Sequence, residues 1–124
     1  MRAKSPVFLN LFQIRFPITA LVSISHRITG VLLFLCIPIV LFWLDVSLKD
    51  EAGFQQAQTF FSCACVRFFV FLVMALLLFH WLAGMRHLLL DVDIGISKQR
   101  VRFTSWLIFV IAIAGFLIML ITGL

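Results

Sequence analysis

His26, His80 and His87 are the only histidines in a chain that is otherwise poor in reactive side chains. The densest stretch of chemistry is His80-Trp81-Leu82-Ala83-Gly84-Met85-Arg86-His87-Leu88-Leu89-Leu90-Asp91. It closes an apolar run, Phe68 to Phe79, that holds no charge and no turn residue. At helical pitch His80, Gly84, His87 and Asp91 recur at i, i+4, i+7 and i+11, which is one narrow stripe. An imidazole that deep in an apolar helix is costly and calls for a partner, a cofactor or a proton path. A hydrogen bond to a neighbouring helix would satisfy it. So would axial ligation of a haem iron, and a glycine one turn away leaves room for something flat against the backbone. Haem propionates need cations at the membrane surface, and His26, Arg27, Arg86 and His87 are the candidates. His87 lies on the same side of the helix as His80, ~10 Å along it, so the two cannot hold one iron from opposite faces. His26 is expected at the depth of His87. If haem binds, its second axial ligand comes from another chain.

A second polar cluster is Ser23-Ile24-Ser25-His26-Arg27-Ile28-Thr29-Gly30. Ser23, Arg27 and Gly30 share a stripe, with His26 to one side. A polar helix start seated in lipid headgroups would account for the hydroxyls. His-Arg with a glycine on the same face favours a functional reading.

The elements that must position these residues are set by hydropathy. The chain has 124 residues, 64% hydrophobic and 12% charged, with a mean hydropathy of +1.19. A soluble domain carries about 25% charged residues. The composition therefore predicts an all-α integral membrane protein: a single domain, 1–124, with no room for a soluble catalytic domain. Three transmembrane helices are expected, over about 18–44, 60–90 and 103–124, as part of a multi-subunit bundle. Pro17 suits the first turn of a helix and Pro38 should kink the first span. Trp43 reads as an interfacial anchor. Asp45 to Thr59 reads as a polar connection. The second span, about 31 residues or ~46 Å, exceeds the ~30 Å hydrocarbon core and must tilt or protrude. Arg67 is expected to snorkel to the far interface. Met1 to Ile14 is too short to span.

Met1 to Arg15 is not expected to be a secretory signal, lacking a continuous apolar region and a small-residue cleavage site. Cys36, Cys63 and Cys65 fit no zinc, iron–sulphur or thioredoxin spacing and read as small packing residues. The net charge of +5 sits in two clusters, which speaks for membrane topology rather than nucleic-acid binding. Arg2, Lys4, Arg15 and Arg27 flank the first span. Arg86, Lys98, Arg100 and Arg102 surround the second connection. The positive-inside rule places both in the cytoplasm and, with three spans, the C-terminus on the other side; the expected setting is a bacterial inner membrane, with the C-terminus periplasmic.

Arg15-Phe16-Pro17-Ile18-Thr19-Ala20, the Ser-x-x-His-Arg-x-x-Gly run from Ser23 to Gly30, and His80-x3-Gly84-x-Arg86-His87-x3-Asp91 together carry a resemblance. The chain closely resembles the cytochrome b556 large anchor subunit of succinate dehydrogenase, across nearly its whole length. The two later runs are specific in combination and weak singly. The resemblance implies a haem b shared with a small anchor subunit, with His80 as an axial ligand to the haem iron. It implies quinone contacts from Ser23 and Arg27, and places His26 and Arg27 near the propionates. It implies docked iron–sulphur and flavoprotein subunits that pass electrons from succinate to ubiquinone. A tyrosine of the small anchor contacts the quinone in this family, and this chain has no Tyr of its own. The alternatives are a fumarate reductase or other quinone-reactive anchor, a small transporter subunit with His80 and Arg67 on a solute path, and a purely structural anchor.

Overall fold

The computed structural model describes residues 16–123. Expectations that rest on Arg2, Lys4, Arg15 and Met1 to Ile14 lie outside the described residues. Four helices follow in order: α1 (Ile18–Lys49), α2 (Glu51–Ser62), α3 (Ala64–Asp91) and α4 (Lys98–Gly123). Three of them, α1, α3 and α4, are long and apolar enough to cross a membrane. The protein is all-α, as the hydropathy predicts.

Pro17 is the residue just ahead of α1, in extended conformation. Its carbonyl opens the helix by accepting from Ala20 at 2.9 Å and Leu21 at 3.2 Å. Pro38 sits inside α1, which runs unbroken through it. The stretch expected as a polar connection holds α2 instead. Asp50 caps it, with its carboxylate accepting from the Gly53 N–H at 2.6 Å, and Glu51 adds an acid to the first turn. A Cβ at Gly53 would run into the Val46 carbonyl, so glycine lets α2 fold back tightly on α1. Trp43 stacks on Phe60 with ring centroids 4.0 Å apart, joining the two helices.

Helices overrun the apolar segments at several ends. α1 continues to Lys49 and α4 already begins at Lys98, because helical hydrogen bonding extends into the polar layer after hydrophobicity has stopped. In the other direction, Cys63 breaks the chain in extended conformation and α3 starts at Ala64. α3 ends in a Schellman turn: Ile94 N–H donates to Leu89 O at 2.9 Å and Asp93 N–H to Leu90 O at 3.1 Å. Asp93 takes the left-handed conformation this turn needs, with φ of 61°.

α3 packs on both α1 and α4, which also meet each other. Val22, Phe79, Ala83, Ile108 and Ala112 form the buried centre, flanked by Leu82 and Phe109. Two alanines there let backbones approach, as association within lipid requires. Two arginines bind α3 to α4. The Arg86 guanidinium, 7% exposed, donates to Thr104 Oγ1 at 3.2 Å and to the Val101 carbonyl at 3.3 Å. At the other end Arg67 Nη1 donates to the Gly123 carbonyl at 3.1 Å. Arg67 thus caps the last turn of α4, where a cation suits the helix dipole, rather than only reaching for headgroups.

Ala83 is fully buried between helices. Replacing it by leucine should cost ~1–3 kcal/mol through overpacking. The expected outcome for Ala83→Leu is a lower melting temperature in mild detergent, with Met85→Leu on the exposed face of α3 leaving it unchanged.

Candidate functional site

α1 and α3 cross where each carries a glycine, and each glycine faces the other helix's histidine. A Cβ on Gly30 of α1 would lie 3.0 Å from Cε1 of His80, and one on Gly84 of α3 would lie 3.2 Å from Nε2 of His26. The space beside Gly84 that the sequence reserves for something flat is therefore met by the His26 imidazole. The rings of His26 and His80 stack, with centroids 4.1 Å apart and planes inclined by 13°. His87 meets His26 edge-on, at 5.2 Å and 85°. His26 thus bridges the gap between the two α3 histidines instead of lying only at the depth of His87.

His80 is held by one of its two ring nitrogens. Nδ1 lies 3.1 Å from the His26 carbonyl and 3.1 Å from the Thr29 hydroxyl. A carbonyl oxygen only accepts, so the contact with it is a hydrogen bond in the tautomer that carries the proton on Nδ1. That tautomer leaves Nε2 with its lone pair. The stacked His26 ring covers a face of His80, and the lone pair lies in the ring plane, so stacking does not block it. His80 stands at an apolar groove between α1 and α3, lined among others by Gly30, Leu33, Phe34, Ile37 and Leu77, with a volume of about 500 Å³.

Ser23 and Arg27 sit one position on from Val22 and His26, so they flank the buried stripe of α1 rather than face α3. Ser23 is half-buried and Arg27 exposed. Neither hydroxyl nor guanidinium has a hydrogen-bond partner among the described residues. Arg86 is drawn the other way, onto Thr104 and Val101 of α4, and its Nε and Nη2 are committed there. Asp91 is exposed at the end of α3. The structure therefore gathers His26, His80 and His87, keeps Ser23 and Arg27 at their edge, and turns Arg86 away.

Thr29, which the sequence places in the polar run from Ser23 to Gly30 without a role of its own, joins the histidines here. The signal was present: a threonine three residues after a histidine in a helix can donate back to that residue's carbonyl, as Thr29 does to His26 at 3.0 Å. Among the described residues no group of three or more His, Cys, Asp or Glu could hold a bare metal ion. His80 lines an apolar groove and its Nε2 has no hydrogen-bond partner among the described residues, an arrangement that suits instead a metal that brings most of its ligands with it. That is the coordination chemistry of haem, and these residues fit it.

Residues 1–119 match the family model of the succinate dehydrogenase/fumarate reductase transmembrane subunit. The succinate dehydrogenase cytochrome b556 subunit of Coxiella burnetii is 34% identical over 113 residues, 90% of each chain. The proteins of that name from Rickettsia felis and Rickettsia prowazekii are each 32% identical over 110 residues, 89% of this chain and 86% of theirs. With three helices able to span a membrane and this match along nearly its whole length, the chain belongs to the transmembrane cytochrome b anchor subunits of the succinate dehydrogenase/fumarate reductase family.

Proposed function

We propose that this chain anchors a succinate:quinone oxidoreductase in the bacterial inner membrane, holds haem b through His80 and binds ubiquinone beside Ser23 and Arg27. The observation that carries the reading is the fixed His80 imidazole, Nδ1 engaged and Nε2 bare. The name cytochrome b556 on the relatives points the same way. Bound haem would supply a one-electron store inside the membrane. The chain's own part is to present Nε2 at the edge of the α1–α3 groove and to keep water from it with Leu33, Phe34, Ile37 and Leu77.

With His26 stacked on His80 and His87 meeting His26 edge-on, the histidines of this chain are engaged with one another, and a small membrane-anchor subunit would supply the other ligand to the haem. His26, His87 and Arg27 cluster near the polar end of α1 and form the propionate contacts. Arg86 contributes through α4, whose first turn it fixes.

Ser23 and Arg27 serve the quinone. A quinone's carbonyl oxygens need donors, and negative charge grows on them during reduction. A hydroxyl and a guanidinium one turn apart supply a hydrogen bond and a fixed positive charge. An exposed Arg27 near the membrane surface is accessible from the bilayer and from a docked iron–sulphur subunit. A flavoprotein subunit bound to that subunit carries out succinate oxidation.

Docking on that side requires a cytoplasmic start of α1. Lys98, Arg100 and Arg102 lie in the first turns of α4 at the same end, and Lys49 at the other end is paired with Asp45 at 2.9 Å. That charge asymmetry supports a cytoplasmic N-terminus and a periplasmic C-terminus.

Three measurements test this reading. A reporter fused after Leu124 should report a periplasmic location, and a cytoplasmic signal would overturn the orientation. His80→Ala should abolish the low-spin haem spectrum of the purified complex, whereas His87→Ala should leave low-spin ligation in place. Low-spin haem formed by this chain without a partner subunit would refute ligation in trans. Ser23→Ala should lower quinone reduction while leaving haem content and electron transfer from succinate to a water-soluble acceptor intact, and Arg27→Leu should do so more severely. Unchanged quinone reductase activity and inhibitor affinity in both variants would place the quinone elsewhere.

A further inference from the structure

Thr29 is 6% exposed, on an inward face of a membrane helix. A buried hydroxyl in hydrocarbon must be hydrogen-bonded, and its own helix already provides for that: Thr29 Oγ1 donates to the His26 carbonyl at 3.0 Å. That bond commits the hydroxyl proton. It leaves the oxygen's lone pairs facing outward, and Nδ1 of His80 lies 3.1 Å from them. The same Nδ1 is 3.1 Å from the same His26 carbonyl. Three groups thus close a triangle, and one arrangement of protons makes all three contacts hydrogen bonds. The hydroxyl donates to the carbonyl, and Nδ1–H is shared between hydroxyl and carbonyl.

The other tautomer of His80 would put a nitrogen lone pair against the carbonyl oxygen at hydrogen-bond distance. In a low-dielectric interior that repulsion is not screened. The triangle therefore sets which nitrogen of His80 is bare. Gly30, next in sequence, completes the seat, since any Cβ there would lie 3.0 Å from Cε1 and require the ring to give by a few tenths of an ångström.

We propose that Thr29 is a positioning residue for haem: beside the His26 carbonyl, which selects the tautomer, it fixes the orientation of His80 and raises the basicity of its Nε2. The inference rests on the ligation of haem by His80 proposed above. An acceptor on Nδ1–H pushes electron density toward Nε2, which favours the ferric state and lowers the reduction potential. The main-chain carbonyl alone can accept that proton, but it does not constrain rotation of the ring about its bond to the carbonyl. Two acceptors at equal distance do.

The test uses the purified multi-subunit complex with Thr29→Ala, Thr29→Val and Thr29→Ser. Alanine removes the acceptor without crowding, valine keeps the branched shape, and serine keeps the hydroxyl. The readouts are haem retained per complex during detergent washing and the haem midpoint potential by optical titration. Loss of an outer-shell partner typically weakens metal binding ~10–100-fold. Alanine and valine should therefore release haem at least about 10-fold more readily and shift the potential upward. Serine should match the native protein in both. If alanine and valine leave retention and potential unchanged, Thr29 does not act on His80. If serine behaves like valine, the methyl group matters and the hydroxyl does not, which also overturns the proposal. His80→Ala run in parallel separates the two levels: haem loss there with native behaviour in the Thr29 variants sinks only the role of Thr29, whereas haem retained in His80→Ala sinks the ligation on which it rests.

Discussion

Inside a bilayer one apolar helix has no hydrophobic reason to prefer a given neighbour, because lipid tails are as apolar as leucine. The constraint on which this structure depends is therefore the polar and small-residue contact at the crossing of α1 and α3. Gly30 admits His80, Gly84 admits His26, and the His26 carbonyl accepts the His80 proton. Each helix gives up a side chain exactly where the other inserts a ring. The register of the pair follows, since sliding either helix by one residue would bring a Cβ against an imidazole. What reads as a pocket for function is also the lock that aligns the two helices.

The α3–α4 pair is fixed by different means. Arg86 and Arg67 lie at opposite ends of α3, and each reaches a backbone carbonyl of α4. An arginine buried beside a carbonyl costs desolvation, and charge-assisted hydrogen bonds offset part of it. Two such contacts, one near the first turn of α4 and one at its last, set both rotation and height. This division of labour has a consequence for the site. With Arg86 engaged on α4, Arg27 is the arginine at this cluster that remains exposed, and it sits on α1, the helix that contributes His26.

Much of this was legible in the sequence. Hydropathy alone separates the three long helices, and the Ser-x-x-His-Arg-x-x-Gly and His…Arg-His…Asp runs mark the segments that meet. What was not legible depends on contacts between helices. A helical wheel shows that His80, Gly84 and His87 share a face, but not that the ring filling the gap at Gly84 comes from His26. It shows Arg86 one position from His87, but not that Thr104 and Val101 draw it to α4. Hydropathy also marks the hydrocarbon rather than the helix, so α1 and α4 extend further than the apolar runs. The sequence from Asp45 to Thr59 looks like a loop by polarity, yet Asp50 followed by Glu51 is a helix start that composition hides.

The outer surface bears on what the chain can do alone. Phe34, Ile37, Val40 and Leu41 of α1 are at least half exposed, and they run along the same groove that begins at His80. Lipid could cover such a face without further structure. An imidazole with a bare nitrogen at the head of it is a different matter, because lipid tails offer neither a donor nor a metal. The proposed haem would meet that nitrogen at this depth in the membrane. The chain has no fourth histidine, and of the two others His26 is stacked on His80 and His87 meets His26 edge-on. If His80 ligates haem as proposed, α1 and α3 carry half of a two-sided site, and the arrangement of Thr29, Gly30 and the His26 carbonyl holds the imidazole ready for the other half.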